Sequence, residues 1–311
     1  MTFVLSIQTK GSIWLLADRR LSALGYPPFE DARKIMSFGT HDGEALIGYA
    51  GLGATVGGTE PSTWISNVLR GRIVSLEQSL QIIADAMSRE FVPHLKKFRG
   101  VAVPEHNMII SAFVGSEHRL YTIQMALAKT GTLFRFTRHF QQQAPLGIDF
   151  TPPTVTTGSG ADFLKNRHDW RRPILRLVSA YNDGRIRPET VADHLASLNH
   201  DVHRNTSNGT VGPRCLVIWR NVKAGVHKGG GGHCAYNGLA RDHRKLILPS
   251  IALGMDVVAI AKASEELFGD SDRLRLHALI RGEPTDKYDV PIEKTKTHFA
   301  KLPGKPDEKL R

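Results

Sequence analysis

Thr2 stands directly behind the initiator methionine in "MTFVLSIQTKGSIWLLADRR", and Phe3, Val4, Leu5 and Ile7 follow it into what reads as a buried strand. The first residues of a domain usually fray unless something ties them down, so this terminus is being placed. A threonine hydroxyl is a poor nucleophile without a base beside it. If Met1 is removed, which the small second residue suits, the α-amine uncovered on Thr2 is such a base, with an ordinary pKa of about 7.7–8.0. Asp18 and Lys34, taken alone, read as an ordinary ion pair at strand ends. Gly51 and Gly158-Ser159-Gly160 read, taken alone, as turn residues.

Two further groups invite chemistry without sustaining it. His227, His233, Cys234 and His243 fit no common zinc spacing, and the run Gly229 to Gly232 among them supplies no rigidity. "GLGATVGG" (51–58) follows a strand as a phosphate-binding loop would, but it lacks the Lys-Ser/Thr ending. Neither metal nor cofactor is expected.

The elements that must position these residues come as strand pairs and helix pairs. "FVLSIQT" and "SIWLLAD" flank Lys10-Gly11, and "KIMSFG" and "EALIGYAG" flank "THDG" (40–43), reading as two hairpins. Helices are predicted over 62–70, with Pro61 at the start, and over 76–98, where Leu76, Leu80, Ile83, Met87, Phe91 and Leu95 recur at helical spacing. Strands return at 108–115, 119–126 and 132–139. After "VTTGSG" (155–160), one predicted helix buries Phe163, Trp170, Ile174, Leu177 and Val178. A second starts near Pro188 and carries Val191, Leu195 and Leu198, before the strand "RCLVIW" (214–219). Antiparallel strands with helices in two separate pairs imply two stacked sheets, each covered by a helix pair, in an α+β fold. Beyond Asn221 the glycine run reads as a flexible loop or linker, 257–268 as a short helix, and "KLPGKPDEKLR" as disordered.

The 311 residues, 41% hydrophobic and 23% charged, suffice for a sizeable core. The net charge of +11 is spread thinly. Residues 1–221 hold 25 Lys and Arg against 18 Asp and Glu, and residues 222–311 hold 16 against 12. That argues against nucleic-acid binding, and the basic run around Arg167, Arg171 and Arg172 reads as a solvated or subunit-facing helix surface. The longest apolar stretch (246–261) is broken by Pro249, Ser250 and Asp256, so no membrane span is expected. With no signal peptide and no disulfide framework, the reading is cytoplasmic.

Five features lie in register: Thr2, Asp18 sixteen positions later within Asp18-Arg19-Arg20, Lys34 sixteen after that, Ala50-Gly51 at the end of the fourth strand, and Gly158-Ser159-Gly160 before the third helix. In that order and at those spacings the chain resembles a proteasome β-type subunit. More broadly it is similar, over about residues 2–220, to the N-terminal nucleophile (Ntn) hydrolases and their bacterial ring-forming members. The resemblance implies a four-layer αββα sandwich of two antiparallel sheets over residues 2–221, with 222–311 as a C-terminal extension. It implies a threonine-type amidohydrolase, a proteasome-like peptidase in which Thr2 is nucleophile and base. Lys34 would be the buried cation beside the hydroxyl, Asp18 its counter-charge, Gly51 N–H the oxyanion donor and Ser159 a partner of the Thr2 amine, with Arg20 bracing the turn after the second strand. The partners implied are a peptide or protein substrate, further copies of the chain in a ring or helical homo-oligomer, and an ATP-dependent unfoldase.

One stretch departs from the family pattern. Members usually carry Asp-x-x-Ser-Gly before the final strand, with the aspartate and serine near the terminal amine. Here the stretch is "RNTSNG" (204–209): Ser207 fits the serine, Arg204 stands where the aspartate would, and Asp201 is the nearby substitute. The departure favours one alternative, a catalytically silent structural subunit; a separate alternative is an Ntn amidase of non-peptide substrates.

Overall fold

Strands buried on both faces need apolar residues at nearly every position rather than at every second one. β1 (Val4–Gln8) and β2 (Ser12–Asp18) have that character and are buried throughout. Their alternate residues go to different cores. Leu5, Ile7, Trp14 and Leu16 meet a layer of helices, whereas Val4, Ile13, Leu15 and Ala17 meet a second sheet.

The chain is described here from a computed structural model covering residues 2–21, 28–51, 59–95, 106–128, 131–139, 148–151, 153–165, 167, 169–206, 209–223, 226–235 and 248–310. After β1 and β2 come β3 (Ile35–Gly39), β4 (Gly43–Ala50), α1 (Pro61–Leu69), α2 (Leu76–Leu95), β5 (Asn107–Val114), β6 (Glu117–Ala128) and β7 (Gly131–His139). β8 (Ile148–Thr151), β9 (Thr154–Thr157), α3 (Ser159–Lys165), α4 (Arg171–Asn182), α5 (Pro188–Asn205) and β10 (Arg214–Lys223) follow. The last part holds β11 (Val226–Ala235), β12 (Ser250–Ala252), β13 (Met255–Asp256), α6 (Val257–Ile280) and α7 (Ile292–Phe299).

One sheet has the order β11-β10-β2-β1-β9-β8 and the other β13-β12-β3-β4-β5-β6-β7. α1 and α2 cover the second sheet through Trp64, Val68, Leu80, Ile83 and Met87. α3, α4 and α5 cover the first through Leu164, Ile174, Val178, Val191 and Leu195. The result is the four-layer αββα sandwich. A side chain at Gly48 would lie 2.9 Å from Val4 and 3.1 Å from Leu15, so this glycine sets how closely the sheets approach. Between the sheets, Ser6 Oγ and Ser111 Oγ lie 2.5 Å apart and Gln8 Nε2 donates to Ser111 Oγ at 2.9 Å, so these buried polar groups satisfy one another.

Several expectations are corrected. The helix expected after residue 160 is two helices, α3 and α4, with Trp170 buried just ahead of the second. The short hairpin β8–β9 was not expected; four-residue strands around Pro152-Pro153 carry too little alternation to be read. Both sheets are antiparallel except at β12, which runs parallel to β3. The glycine run is neither loop nor linker. It lies in β11, paired antiparallel along β10 from Arg214↔Ala235 to Lys223↔Val226. Strand pairing uses backbone groups, which glycine has in full; the pattern of side chains gives no sign of it.

The C-terminal end differs most. The short helix of 257–268 continues to Ile280, started by Asp256, whose side chain accepts from Ala259 N at 3.0 Å. The polar end expected to be disordered is a strap laid along α1. Arg70 Nη2 donates to Lys305 O at 2.7 Å, Asp307 N to Asn67 O at 3.0 Å and Trp64 Nε1 to Glu308 O at 3.0 Å. Glu308 pairs with Arg72 and Arg89, and Leu310 packs on the core under α1 and α2. Backbone hydrogen bonding and one apolar anchor hold this segment, so its composition misled. Among the described residues no helix is long and apolar enough to cross a membrane.

Candidate active site

Three elements deliver the polar cluster at the start of β1. β1 is held on one side by β2, in the register Val4↔Ala17, and on the other by β9, in the register Val4↔Thr157. Thr2 therefore lies beside Asp18 at the end of β2 and beside the turn that leaves β9. Lys34 opens β3 in the opposite sheet, with its carbonyl accepting from Tyr49 N at 3.0 Å. Lys34 Nζ crosses the gap between the sheets, donating to Thr2 Oγ1 at 2.8 Å and to Asp18 Oδ1 at 3.0 Å. Thr2, Asp18 and Lys34 are all essentially inaccessible, at 1%, 0% and 2% exposure.

A buried carboxylate needs its oxygens filled. Asp18 Oδ1 accepts from Phe3 N at 2.8 Å and from Lys34, and Oδ2 accepts from Arg20 N at 3.0 Å and Gly212 N at 3.1 Å. Three backbone amides and one ammonium thus fix it. Burial depresses the Lys34 ammonium below its ordinary value of 10.5; the charges of Asp18 and Glu30 oppose that shift and Arg20 adds to it. Glu30 is a second carboxylate near the cation: Oε1 accepts from Arg20 Nε at 2.6 Å, and Oε2 is buried with no hydrogen-bond partner among the described residues. Arg19 fastens the segment leading to Lys34, donating to Ala32 O at 3.2 Å and to Asp31 O at 2.7 Å.

Gly158-Ser159-Gly160 is the turn that covers the start of β1. Gly158 has φ +88°, and a Cβ there would lie 1.9 Å from Thr2 O. A Cβ at Gly160 would meet the Phe3 ring at 2.7 Å. Both glycines are required by close approach. Ser159, between them, has its Oγ 2.7 Å from Thr210 Oγ1. Arg20 Nη1 donates to Gly209 O at 2.6 Å. Gly51 follows β4 at φ +136°, two residues beyond the Tyr49 that pairs with Lys34.

Asp201 is exposed on α5, where its carbonyl accepts from Asn205 Nδ2 at 2.7 Å, and it makes no hydrogen bond to Thr2, Lys34 or Ser159. Arg204 is exposed near the end of the same helix. Ser207 lies outside the described residues, as do positions 52–58 of the glycine-rich stretch and His243. His227, His233 and Cys234 fall on β11, and among the described residues no cluster of His, Cys, Asp and Glu could hold a metal ion. Sequence reasoning missed Glu30, Thr210 and Gly212. The glycine in "GTVGPR" is a faint sign of the last; the other two carry none.

The cluster has a hydroxyl accepting from a buried cation, and that cation is held by a carboxylate saturated with donors. Such a hydroxyl is poised to bear negative charge, and its proton is left free for a base.

No family model matches the chain, and no curated protein matches it. Among solved structures the chain is similar to the Anbu Gly-1 mutant from Hyphomicrobium sp. strain MC1, at TM-score 0.46 and 14% identity over 76% of this chain and 88% of that one. It is similar to the helical assembly of the Anbu complex from Pseudomonas aeruginosa, at TM-score 0.46 and 15% identity over 76% and 87%. It is also similar to Anbu, named an ancestral beta-subunit, from Yersinia bercovieri, at TM-score 0.41 and 16% identity over 70% and 80%.

Proposed function

We propose that the protein is a threonine-type amidohydrolase, a proteasome-like peptidase whose nucleophile is Thr2 after loss of Met1. The observation that carries this reading is the Lys34 ammonium donating to Thr2 Oγ1 at 2.8 Å while Asp18 holds it, with all three side chains buried. A merely structural ion pair has no need of a hydroxyl at its free end.

In the reaction Thr2 Oγ attacks the carbonyl carbon of a peptide or amide bond, and its proton passes to the Thr2 α-amine. Lys34 stabilises the oxygen as it loses that proton, and Asp18 keeps Lys34 in place without competing for the proton, because its oxygens are filled. Gly51 N–H receives the negative charge that develops on the carbonyl oxygen. The C–N bond then breaks, the leaving nitrogen takes the proton from the α-amine, and an ester on Thr2 remains. Water, deprotonated by the same amine, hydrolyses that ester and restores the hydroxyl. Arg20 and Ser159 hold the segments on either side. The reading carries with it a ring or helical homo-oligomer and an ATP-dependent unfoldase that supplies unfolded substrate.

A second reading has its own support. Arg204 and Asp201 are both exposed on α5, and Asp201 makes no hydrogen bond to Thr2, as fits a silent structural subunit. The two readings separate on Thr2→Ala. Wild type whose intact mass shows Thr2 at the terminus should cleave peptides and be acylated by an electrophilic β-lactone. Thr2→Ala should fold normally and do neither, a loss of at least about a thousandfold if the residues act as one unit. Wild type that has lost Met1 yet takes up no β-lactone identifies the silent subunit.

A further inference from the structure

The chain has two cysteines, and the first sheet sets them opposite one another. Cys215 lies on β10 and Cys234 on β11, and the antiparallel register of these strands pairs the two positions directly. Directly opposed residues of an antiparallel pair share a face of the sheet, with Cα atoms about 4.5–5.5 Å apart. A disulfide spans Cα atoms about 4.4–6.8 Å apart, so the register alone brings the pair within its reach.

The two strands differ in how firmly they are held. Cys215 is wholly buried, in the core under α3, α4 and α5, and on its other side it pairs with Asp18 of β2. Arg19 N donates to Arg214 O at 2.9 Å and Gly212 N to Asp18 Oδ2 at 3.1 Å, which fastens the start of β10 to the candidate site. Cys234 is on the outermost strand, since β11 ends the sheet with β10 as its neighbour. Gly229 to Gly232 run through the middle of β11, and glycine weakens a strand by its backbone freedom and its lack of packing. An edge strand of this kind opens locally, well below the energy of global unfolding. A reagent therefore meets Cys234 first, and the backbone adjustment that closes an S–S bond falls on β11.

We propose that Cys215 and Cys234 are a redox site of this protein: a small-molecule disulfide such as glutathione disulfide converts them to an intrachain disulfide that fastens β11 to β10, beside Asp18. The Cys234 thiolate attacks one sulfur of glutathione disulfide, forms a mixed disulfide and expels a glutathione thiolate. The Cys215 thiolate then attacks the Cys234 sulfur and expels the second. The two thiol protons end on the expelled thiolates and two electrons leave the protein, so one glutathione disulfide becomes two glutathiones. Excess glutathione runs the steps backwards. The site does not depend on Thr2 being a nucleophile.

The test incubates the full chain, reduced and then freed of reductant, with glutathione disulfide before alkylation. Trypsin cuts after Arg220, Lys223 and Lys228, so the cysteines fall in separate peptides that only a disulfide joins. The expected result is that joined pair, from an unalkylated chain with the mass of one copy less two hydrogen atoms. Amide exchange across 229–234 should be at least about tenfold slower than in the reduced chain. Cys215→Ala should stop at glutathione bound to Cys234. Cys234→Ser should react at least about tenfold more slowly than wild type, because its remaining thiol is buried; a wild-type rate overturns entry at Cys234. The wild-type outcomes decide the proposal even where a variant fails to fold. Wild type that stays fully alkylatable, that keeps glutathione without the joined pair, or that joins two copies instead overturns it. Joined peptides with unchanged amide exchange overturn the fastening of β11.

Discussion

At Lys34 two demands meet. On the peptidase reading the ammonium must stay charged to support the Thr2 hydroxyl, yet it sits where water cannot reach it. Burial lowers its proton affinity below the ordinary 10.5 and Asp18 restores only part of that loss. Between the depressed folded value and 10.5 the unfolded chain holds the proton more tightly than the folded one. Stability linked to Lys34 therefore rises as pH climbs through that window, because the folded protein sheds a costly charge that the unfolded one keeps. Lys34→Met cannot titrate. The stability of wild type relative to Lys34→Met should thus increase from pH 7 toward pH 10, measured by urea denaturation at each pH; a flat or falling difference would contradict the burial argument. The spacing of Thr2, Asp18 and Lys34 was legible in the sequence, since each sits at or beside the end of a strand that an apolar run locates. Glu30 and Thr210 were not, because their contacts are with Arg20 and Ser159, 10 and 51 residues away, and no local pattern encodes them.

At the scale of elements, the turn from β9 into α3 sets where the N-terminal strand can lie. Gly158 combines φ +88° with a Cβ position 1.9 Å from a carbonyl oxygen, whereas Gly115 has φ +59° and nothing within 4 Å. The pair separates backbone strain from contact. Gly115→Ala should cost about 1–2 kcal/mol, the left-handed penalty alone. Gly158→Ala should cost more than about 3 kcal/mol, because backbone must also move, and it should release β1, seen as loss of hydrogen-exchange protection at Phe3 and Leu5. Equal costs would mean that the turn yields without disturbing β1. Most of the sandwich was readable because strands buried on two faces leave unbroken apolar runs, as in β1, β2, β4 and β5. β11 escaped because four glycines present no side chains to any face, and the break between α3 and α4 escaped because their apolar residues continue at helical spacing across it.

For the whole molecule, the far end of the chain returns to α1. Trp64 is fully buried, and its indole N–H has Glu308 O as partner. Cutting the chain after Leu302 would strand that donor and remove the Leu310 anchor, while the ion pairs of Glu308 involve an Arg89 side chain that is more than half exposed. Truncation should therefore lower stability by about 2–4 kcal/mol, and Glu308→Gln by no more than about 1 kcal/mol, both read from denaturation midpoints. A glutamine variant as weak as the truncation would show that charge, rather than backbone and packing, holds the strap. The strap's composition hid it: lysine, proline and glycine say nothing of main-chain bonds to Asn67 and Arg70.

The depth at which Thr2 sits also orders events in the life of the chain. Phe3 N is already committed to Asp18 and Thr2 is 1% exposed, so on the peptidase reading an aminopeptidase must reach Thr2 before β1 docks. On that reading the trimming belongs to the time before the strand docks, while it is still free. Chains refolded with Met1 in place should resist aminopeptidase afterwards yet be trimmed readily when it is present during refolding, as intact mass would record. The fold would thus act as a clock, with the time available for trimming ending when the first strand finds its neighbours.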